Sequence, residues 1–446
     1  MANILIIGGG VSGLSAGIYA RLNGHRAIVC EKHFVPGGNL TGWDRKGYHI
    51  DNCIHWLTGT NKVTSTYKMW QELGALGDVE IMYPDALYTC EKDGQTLSLF
   101  SDLDLTEKQM LEISPRDENQ IRSLINAVRA FQGTLGIGGK DHNEKASSFD
   151  TLRALPLFMK YYFMTTGELS EKFSHPLLCS FIIGFWGRHF GSFALIMVMA
   201  HFCGGNGGIP RGSSCGMAER ITNRFRSLGG ELLLNKEAVK IDHENGKVRS
   251  VTFKDGSTIE ADYVILTPDP ATVFPDLIDI PMPKSLKKKY TDKNLIRFSS
   301  FQCAFACDLS TLPFQNDFIF DVPCEYRDLL HTEHMIIREF SHEKGFAPEG
   351  KNIIQTLTFC YEDDALDFIR LRKEDKKKYD EKKREISKIL IKLICDKLPA
   401  LEGKLEAIDL WTPATYHRFV GSEVGSFMSF ALPAKMLPLR TSNKVD

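Results

Sequence analysis

The chain has 446 residues, 43% of them hydrophobic and 25% charged, with a formal net charge of −2. That is enough apolar material for a large core and, at roughly 150 residues per domain, for about three domains. The near-neutral balance leaves no electrostatic footprint for nucleic acid, so no nucleic-acid partner is expected. In chain order, the apolar run 3–7 ends in Gly8-Gly9-Gly10-Val11-Ser12-Gly13, a G-x-G-x-x-G pattern. Residues 14–20 read as a helix and 27–31 as a second strand that ends on Glu31, 23 positions after Gly8. Each part has a physical role. Gly8 permits the tight turn, Gly10 lets backbone approach a pyrophosphate, and Gly13 lets helix pack closely on strand. The helix N-terminus offers unpaired N–H groups and positive dipole to phosphate, and Glu31 is placed to accept from ribose hydroxyls. Strand, turn, helix and acid together imply dinucleotide binding.

The next segments decide which dinucleotide. Lys32-His33-Phe34-Val35-Pro36 leads into Gly37-Gly38-Asn39, then Gly47-Tyr48-His49-Ile50-Asp51. With these residues the sequence resembles the FAD-dependent phytoene desaturase and retinol saturase-like family of the amine oxidase superfamily. The resemblance implies FAD, held by Gly8, Gly10, Gly13, Glu31, Lys32, Gly37, Gly38 and Asn39, with Asn39 standing where the family has a basic residue. Further motifs extend it: Gly208-Ile209-Pro210-Arg211-Gly212-Ser213, the strand carrying Val239, whose backbone the family uses for adenine, and 261–270, ending in Thr267-Pro268-Asp269-Pro270. Asp255-Gly256 marks a hairpin between 248–253 and 258–261. Residues 411–419, with Gly421 and Gly425-Ser426, resemble the desaturases more than the amine oxidases. The implied fold is α/β: a two-domain oxidoreductase with a Rossmann-like FAD domain and an interleaved α+β substrate domain.

The expected division is 1–75 as the first part of the FAD domain, 76–204 as the first part of the substrate domain, 205–280 as FAD domain, 281–420 as substrate domain and 421–446 as a shortened return to the FAD domain. The family's glycine-rich closing strand and helix have no counterpart before Asp446, so truncation is expected there. Within 76–204, strand-like pieces flank Asp93-Gly94, and 104–113 and 115–131 read as helices, with Ser114 as N-cap and Pro115 first. The glycine-rich stretch 133–139 before Lys140 lacks P-loop spacing and reads as a surface loop. Runs 152–164, 177–185 and 190–202 are strongly apolar but too short to span a bilayer, and are interrupted by Trp186-Gly187-Arg188-His189. They read as buried helices or as a greasy tunnel touching a membrane surface. From 290 to 361 strand-like runs suggest a mostly antiparallel sheet, and 364–398 one long helix with a charged, solvated face at 373–384.

Eleven cysteines without a C-x-x-C pair argue against a disulfide framework, so they read as reduced thiols of a cytoplasmic protein, with peripheral membrane contact as the variant. No basic leader precedes the first strand, and no signal peptide is expected. No zinc-ligand spacing, Ser-His-Asp set or paired-carboxylate site is visible, so no metal is expected. His55 is the candidate catalytic base and Trp56, Arg188, His189 and Tyr416 are candidate substrate-lining residues, each with a plain packing role as the alternative. The expected activity is FAD-dependent desaturation, saturation or isomerisation of carbon–carbon bonds in an apolar polyene or lipid-like small molecule. The alternatives are a flavin amine oxidase, disfavoured by segments 43–56 and 412–418, and a non-catalytic truncated remnant. A nicotinamide-dependent dehydrogenase is weaker, because no second dinucleotide motif occurs. Substrate identity and oligomeric state are not legible.

Overall fold

A computed structural model describes residues 1–135, 137, 148–428 and 430–431, without the side chains of 148–154 and 275. Of the expected 133–140 loop, 133–135 instead close the helix Glu118–Leu135, and 136 and 138–140, like the last part of the 421–446 segment, lie outside the described residues.

A four-stranded parallel sheet is built from Glu231–Leu233, Arg26–Cys30, Asn3–Ile7 and Tyr263–Leu266, in that order. Its central strand Asn3–Ile7 is registered Ile7 to Cys30 on one side and Ile7 to Leu266 on the other. Parallel strands need both faces covered, hence the near-continuous apolar runs. Helices Val11–Leu22 and Ser213–Ser227 cover one face around Ile6, Leu14, Ile18, Ile221 and Phe225. A three-stranded meander, Ala238–Glu244, Lys247–Phe253 and Thr258–Glu260, covers the other with Ile241, Val251 and Phe253 against Leu5 and Ile7. Asn245-Gly246 and Gly256 take positive φ at its two turns.

The second body is a seven-stranded sheet in the order Leu405–Trp411, Phe298–Cys307, Asn352–Tyr361, His334–Glu339, Asp317–Asp321, Ala86–Lys92, Gln95–Phe100. It is antiparallel throughout except where Asp317–Asp321 pairs parallel with Ala86–Lys92. That pairing draws residues 86–100 into a sheet whose other strands lie more than 200 positions later, a junction that local patterning does not reveal. One face is covered by helices Glu118–Leu135, Pro176–Gly184 and Ser192–Cys203 around Phe181, Leu195 and Met199. The other carries Phe301, Phe305, Phe320, Ile386 and Leu390. Among the described residues, no helix is long and apolar enough to cross a membrane.

Two expectations change. The single helix over 364–398 is two, Glu362–Glu374 and Lys376–Lys397, because Asp375 leaves helical geometry and its carboxylate caps the second by accepting from Lys378 N–H at 2.9 Å. Ser114 does not cap with its side chain: its hydroxyl donates to Asp117 at 2.8 Å, and Asp117 accepts the Ser174 and His175 N–H groups instead.

Candidate active site

Backbone makes the first part of the site. Gly8 has φ +106°, and a Cβ on Gly13 would lie 1.9 Å from the Gly8 carbonyl oxygen, so neither position tolerates a side chain. Gly10 is the N-cap of helix Val11–Leu22 without a side-chain cap, leaving that helix end's first N–H groups clear. The second glycine pair lies on the first: Gly37 N–H donates to Gly9 O at 2.8 Å, and a Cβ on Gly38 would sit 3.2 Å from Gly10 Cα. Glu31, 7% exposed at the strand end, accepts from Gly9 N–H at 2.7 Å and His33 N–H at 2.9 Å. A carboxylate has about four acceptor positions, so capacity remains for a ribose hydroxyl.

Asn39 follows the pair. Its Nδ2 donates to Phe427 O at 2.8 Å, while its buried Oδ1 has no partner among the described residues. Val239 lies beyond Glu31, since Lys236 N–H donates to Glu31 O at 2.8 Å, and the strand register skips it between Ala238 and Lys240. Lys32 takes a different course: Nζ reaches Arg418 O at 3.4 Å, over the C-terminal end of helix Pro413–Val420. A cradle that side chains would fill, a clear helix N-terminus, a spare carboxylate acceptor and an orphan amide oxygen fit FAD.

The second part is the segment 51–57. Asp51 is buried, and its carboxylate accepts from Ser214 N–H at 2.7 Å, Ser214 Oγ at 2.5 Å and Cys53 N–H at 3.0 Å. It thereby ties this segment to the N-terminus of helix Ser213–Ser227. Burial raises the Asp51 carboxyl above the usual range, against the pull of the Ser214 bonds. Asn52 Nδ2 donates to Asn39 O at 3.0 Å, and its Oδ1 accepts from Trp411 Nε1 at 2.9 Å and Tyr416 OH at 3.0 Å. Gln302 Nε2 donates to the same Tyr416 hydroxyl at 2.8 Å. Tyr416 is thus 3% exposed and locked in a core network rather than lining an open surface.

Cys53 is exposed at its surface, yet the protein packed around it pushes its thiol up to about 12. His55 sits in the same enclosure, half-accessible, its ring 6.4 Å from Phe185 and Nδ1 3.4 Å from Cys53 O. Burial first, and then the charge of Arg338, hold it well below the ordinary histidine range, so the imidazole is neutral. Trp56 packs on the apolar core and against the close-approaching Gly207.

Arg188 and His189 are elsewhere, around a cavity of about 250 Å³ beside Glu333, Leu357, Phe359 and Tyr361. Arg188 pairs with Glu333 at 3.2 Å and His189 stacks edge-on to Tyr361 at 5.4 Å. Sequence reading missed Arg338, whose Nε and Nη2 hold the buried Asp317 at 3.1 and 3.3 Å. Arg338 is registered opposite Gln355. Oriented to satisfy both partners, the Gln355 amide donates to Asp51 O at 2.8 Å and accepts from Asp51 N–H at 3.1 Å. Missed too was the aromatic wall of Phe298, Phe359 and Phe427, with Phe427 stacked on Phe359 at 6.0 Å. The one available signal was His334 and Arg338, on one face of the strand His334–Glu339 and separated by the apolar run Met335-Ile336-Ile337.

The flavin containing amine oxidoreductase family matches residues 11–291, more than half of the chain. A 1-hydroxycarotenoid 3,4-desaturase of Flavobacterium sp. (strain P99-3) is 24% identical over 335 residues, 71% of this chain and 67% of the relative. Prolycopene isomerase 1, chloroplastic, of an Oncidium hybrid cultivar is 23% identical over 449 residues, 95% of this chain and 74% of the relative. The fold is shared with an oxidoreductase from Methanosarcina mazei, at TM-score 0.60 and 18% identity over 92% of this chain and 87% of that one. It is also shared with a putrescine oxidase bound to putrescine, at TM-score 0.59 and 14% identity over 97% and 88%. The chain belongs to the flavin containing amine oxidoreductase family, on its phytoene desaturase-like side, and is an FAD-dependent oxidoreductase.

Proposed function

We propose that the chain desaturates, saturates or isomerises carbon–carbon bonds in an apolar polyene or lipid-like small molecule. The observation that carries this reading is the composition of the cleft wall. Phe185 approaches the neutral His55 imidazole, Phe359 and Phe427 stack on one another in the aromatic wall, and the one charge acting on both His55 and Cys53 is the cation of Arg338. A protonated amine would be repelled by that cation, and the buried carboxylates of this region are engaged, Asp317 with Arg338 and Asp51 with Ser214 and Cys53. The desaturase and isomerase relatives, whose names specify carotenoid substrates, support the same class.

In this reading Gly8, Gly10 and Gly13 give the pyrophosphate its helix end, Glu31 takes the ribose, Val239 backbone the adenine, and Gly37, Gly38 and Asn39 the flavin side. FAD, when bound, supplies a hydride acceptor or donor. The chain's own residues bind the substrate, exclude water and, at His55, offer a neutral nitrogen that takes or orients a proton. Asp51 acts through that segment as a positioning residue. The parallel-sheet body and the seven-stranded body are assigned as cofactor and substrate domains. Peripheral contact with a lipid surface belongs to this reading, supported by Leu155 and Met159, 52% and 39% exposed one turn apart on helix Ser148–Tyr162.

The test is anaerobic mixing of the FAD-loaded chain with a panel of hydrocarbon polyenes and, separately, with diamines, following the visible flavin band and extracting products. Change in the polyene, with the flavin band reporting any net redox step, is expected. Bleaching by diamines alone would overturn the reading in favour of amine oxidation.

A further inference from the structure

The cavity at Arg188 and His189 has a chemistry that a hydrocarbon substrate does not require. Its rim carries two guanidinium groups, Arg188 and Arg327, three imidazoles and a single carboxylate, Glu333. Arg188 is matched to that carboxylate, with Nε at 3.3 Å from both oxygens. Arg327 is not: its Nε donates to Val322 O at 2.9 Å, and its terminal nitrogens have no partner among the described residues. Two further acids are engaged: Asp364 holds His331 at 3.0 Å, and Asp321 holds His334 at 3.2 Å while also pairing with Lys92. The terminal nitrogens of Arg327 are therefore the rim donors left open to an anionic ligand.

The floor is of the opposite character. Ile336, Leu357 and Phe359 close the cavity on the sheet side. From Phe359 the apolar surface continues through the Phe427 ring, and Phe427 O accepts the Asn39 amide at 2.8 Å beside the glycine cradle. Two rings thus separate a cationic mouth from the flavin-side loop. At about 250 Å³ the cavity is below the usual 300–1,000 Å³ of a whole-ligand pocket. It suits a head group and the first part of a chain.

We propose that this cavity binds the carboxylate head of an amphiphile, with Arg327 and Arg188 as its cationic anchors and the tail laid along Phe359 toward the flavin. This rests on the polyene reading above and narrows it: an unsaturated chain ending in a carboxylate is preferred over a pure hydrocarbon. Glu333 competes with the ligand for Arg188 and sets the specificity.

The experiment compares two probes that differ in charge, all-trans-retinoic acid and its methyl ester. Binding to the full chain, with and without FAD, is followed by quenching of tryptophan fluorescence. The acid is expected to bind about tenfold more tightly than the ester, the worth of one charge-assisted contact. That preference disappears in R327M and R188M, and grows in E333Q, whose opposite sign separates recognition from misfolding. Equal affinities in the unmodified chain, or a preference that survives the R188M/R327M double variant, would overturn the proposal. Hydrocarbon polyene turnover, run in parallel, keeps the two readings apart. Acid preference without conversion of any polyene sinks the polyene reading and leaves the head-group site. Conversion of polyenes without acid preference does the reverse.

Discussion

The glycine cradle and the cleft around residues 51–57 are built by opposite means. The cradle is mostly backbone: its defining contacts run from Gly9 to Glu31 and Gly37, within one short stretch of sequence, with the Thr267 hydroxyl donating to Gly8 O from outside it. The cleft is side chains: Asn52 meets Trp411 359 positions away, and Asp317 meets Arg338 across a strand pair. A backbone site is intolerant of any added atom, whereas a side-chain site tolerates change in shape but not an uncompensated charge. The variants below exploit that contrast.

The largest effect is expected inside the cradle, where two nearby glycines of one motif should behave differently. Gly13→Ala places a methyl 1.9 Å from Gly8 O, so helix and strand must separate. A loss of about 4 kcal/mol or more of stability is expected, with FAD retention lost as well. In Gly10→Ala the nearest atoms are 3.8 and 3.9 Å away, ordinary contacts, and only the space for a ligand is filled. Thermal unfolding of the FAD-free protein should therefore match the parent while FAD affinity falls. Equal damage to both properties in both variants would show that the cradle is a packing joint and not a cofactor site.

Next comes the buried pair of the cleft. Arg338→Met leaves the Asp317 carboxylate unpaired where burial already raises its pKa, at an expected loss of about 3–5 kcal/mol. Adding Asp317→Leu should restore much of it, because a matched apolar pair replaces two desolvated charges. Denaturant midpoints of the single and double variants decide this. A double variant no better than the single would mean that the pair is needed for geometry as well as for charge balance.

These two regions also show what the sequence could disclose. The cradle was legible because G-x-G-x-x-G, Glu31 and Gly37-Gly38 act at fixed local spacing, and the Asp255-Gly256 hairpin for the same reason. The sheet spanning residues 86–411 was legible only in part, since the patterning marks strand-like pieces around Asp93-Gly94 and between 290 and 361 but neither Leu405–Trp411 nor the parallel junction of Ala86–Lys92 with Asp317–Asp321. Arg338 was invisible: a lone arginine in a strand looks like a solvent-facing residue until its partner Asp317 and its neighbour Gln355 are seen on the same buried face. Asn245-Gly246 is a strong turn signal of the same local kind, and it shapes the meander covering the FAD sheet.

The cleft's histidine gives a smaller, pH-dependent effect. His55 is held low by burial and then by Arg338, and His201 by burial. The unfolded chain takes up protons on both near pH 6.5, while the native state does not, so their contribution is present above that pH and lost as pH falls below it. Each fully titrating group adds a slope of up to about 1.4 kcal/mol per pH unit. His55→Gln should flatten the stability profile between about pH 7 and 5. Arg338→Met should move the His55 titration back up. A profile unchanged in His55→Gln would mean that the imidazole titrates alike in the folded and unfolded chain, and that burial does not hold it neutral.

The smallest effect tests whether a charge belongs to the cradle at all. Lys32 follows Glu31 directly and resemblance assigns it to the cofactor, but its ammonium lies 3.4 Å from Arg418 O and 3.3 Å from where a Gly421 Cβ would be. That is the C-terminal end of helix Pro413–Val420, where unpaired carbonyls favour a cation by about 0.3–1 kcal/mol. Lys32→Gln should therefore lower stability by roughly that amount and leave FAD affinity within about threefold, because an uncharged donor can still reach the same carbonyl. FAD titration and thermal unfolding on one preparation separate the two roles. A tenfold or greater loss of FAD affinity with unchanged stability would move Lys32 from the helix end to the cofactor, and the cradle would then depend on a side-chain charge as well as on its glycines.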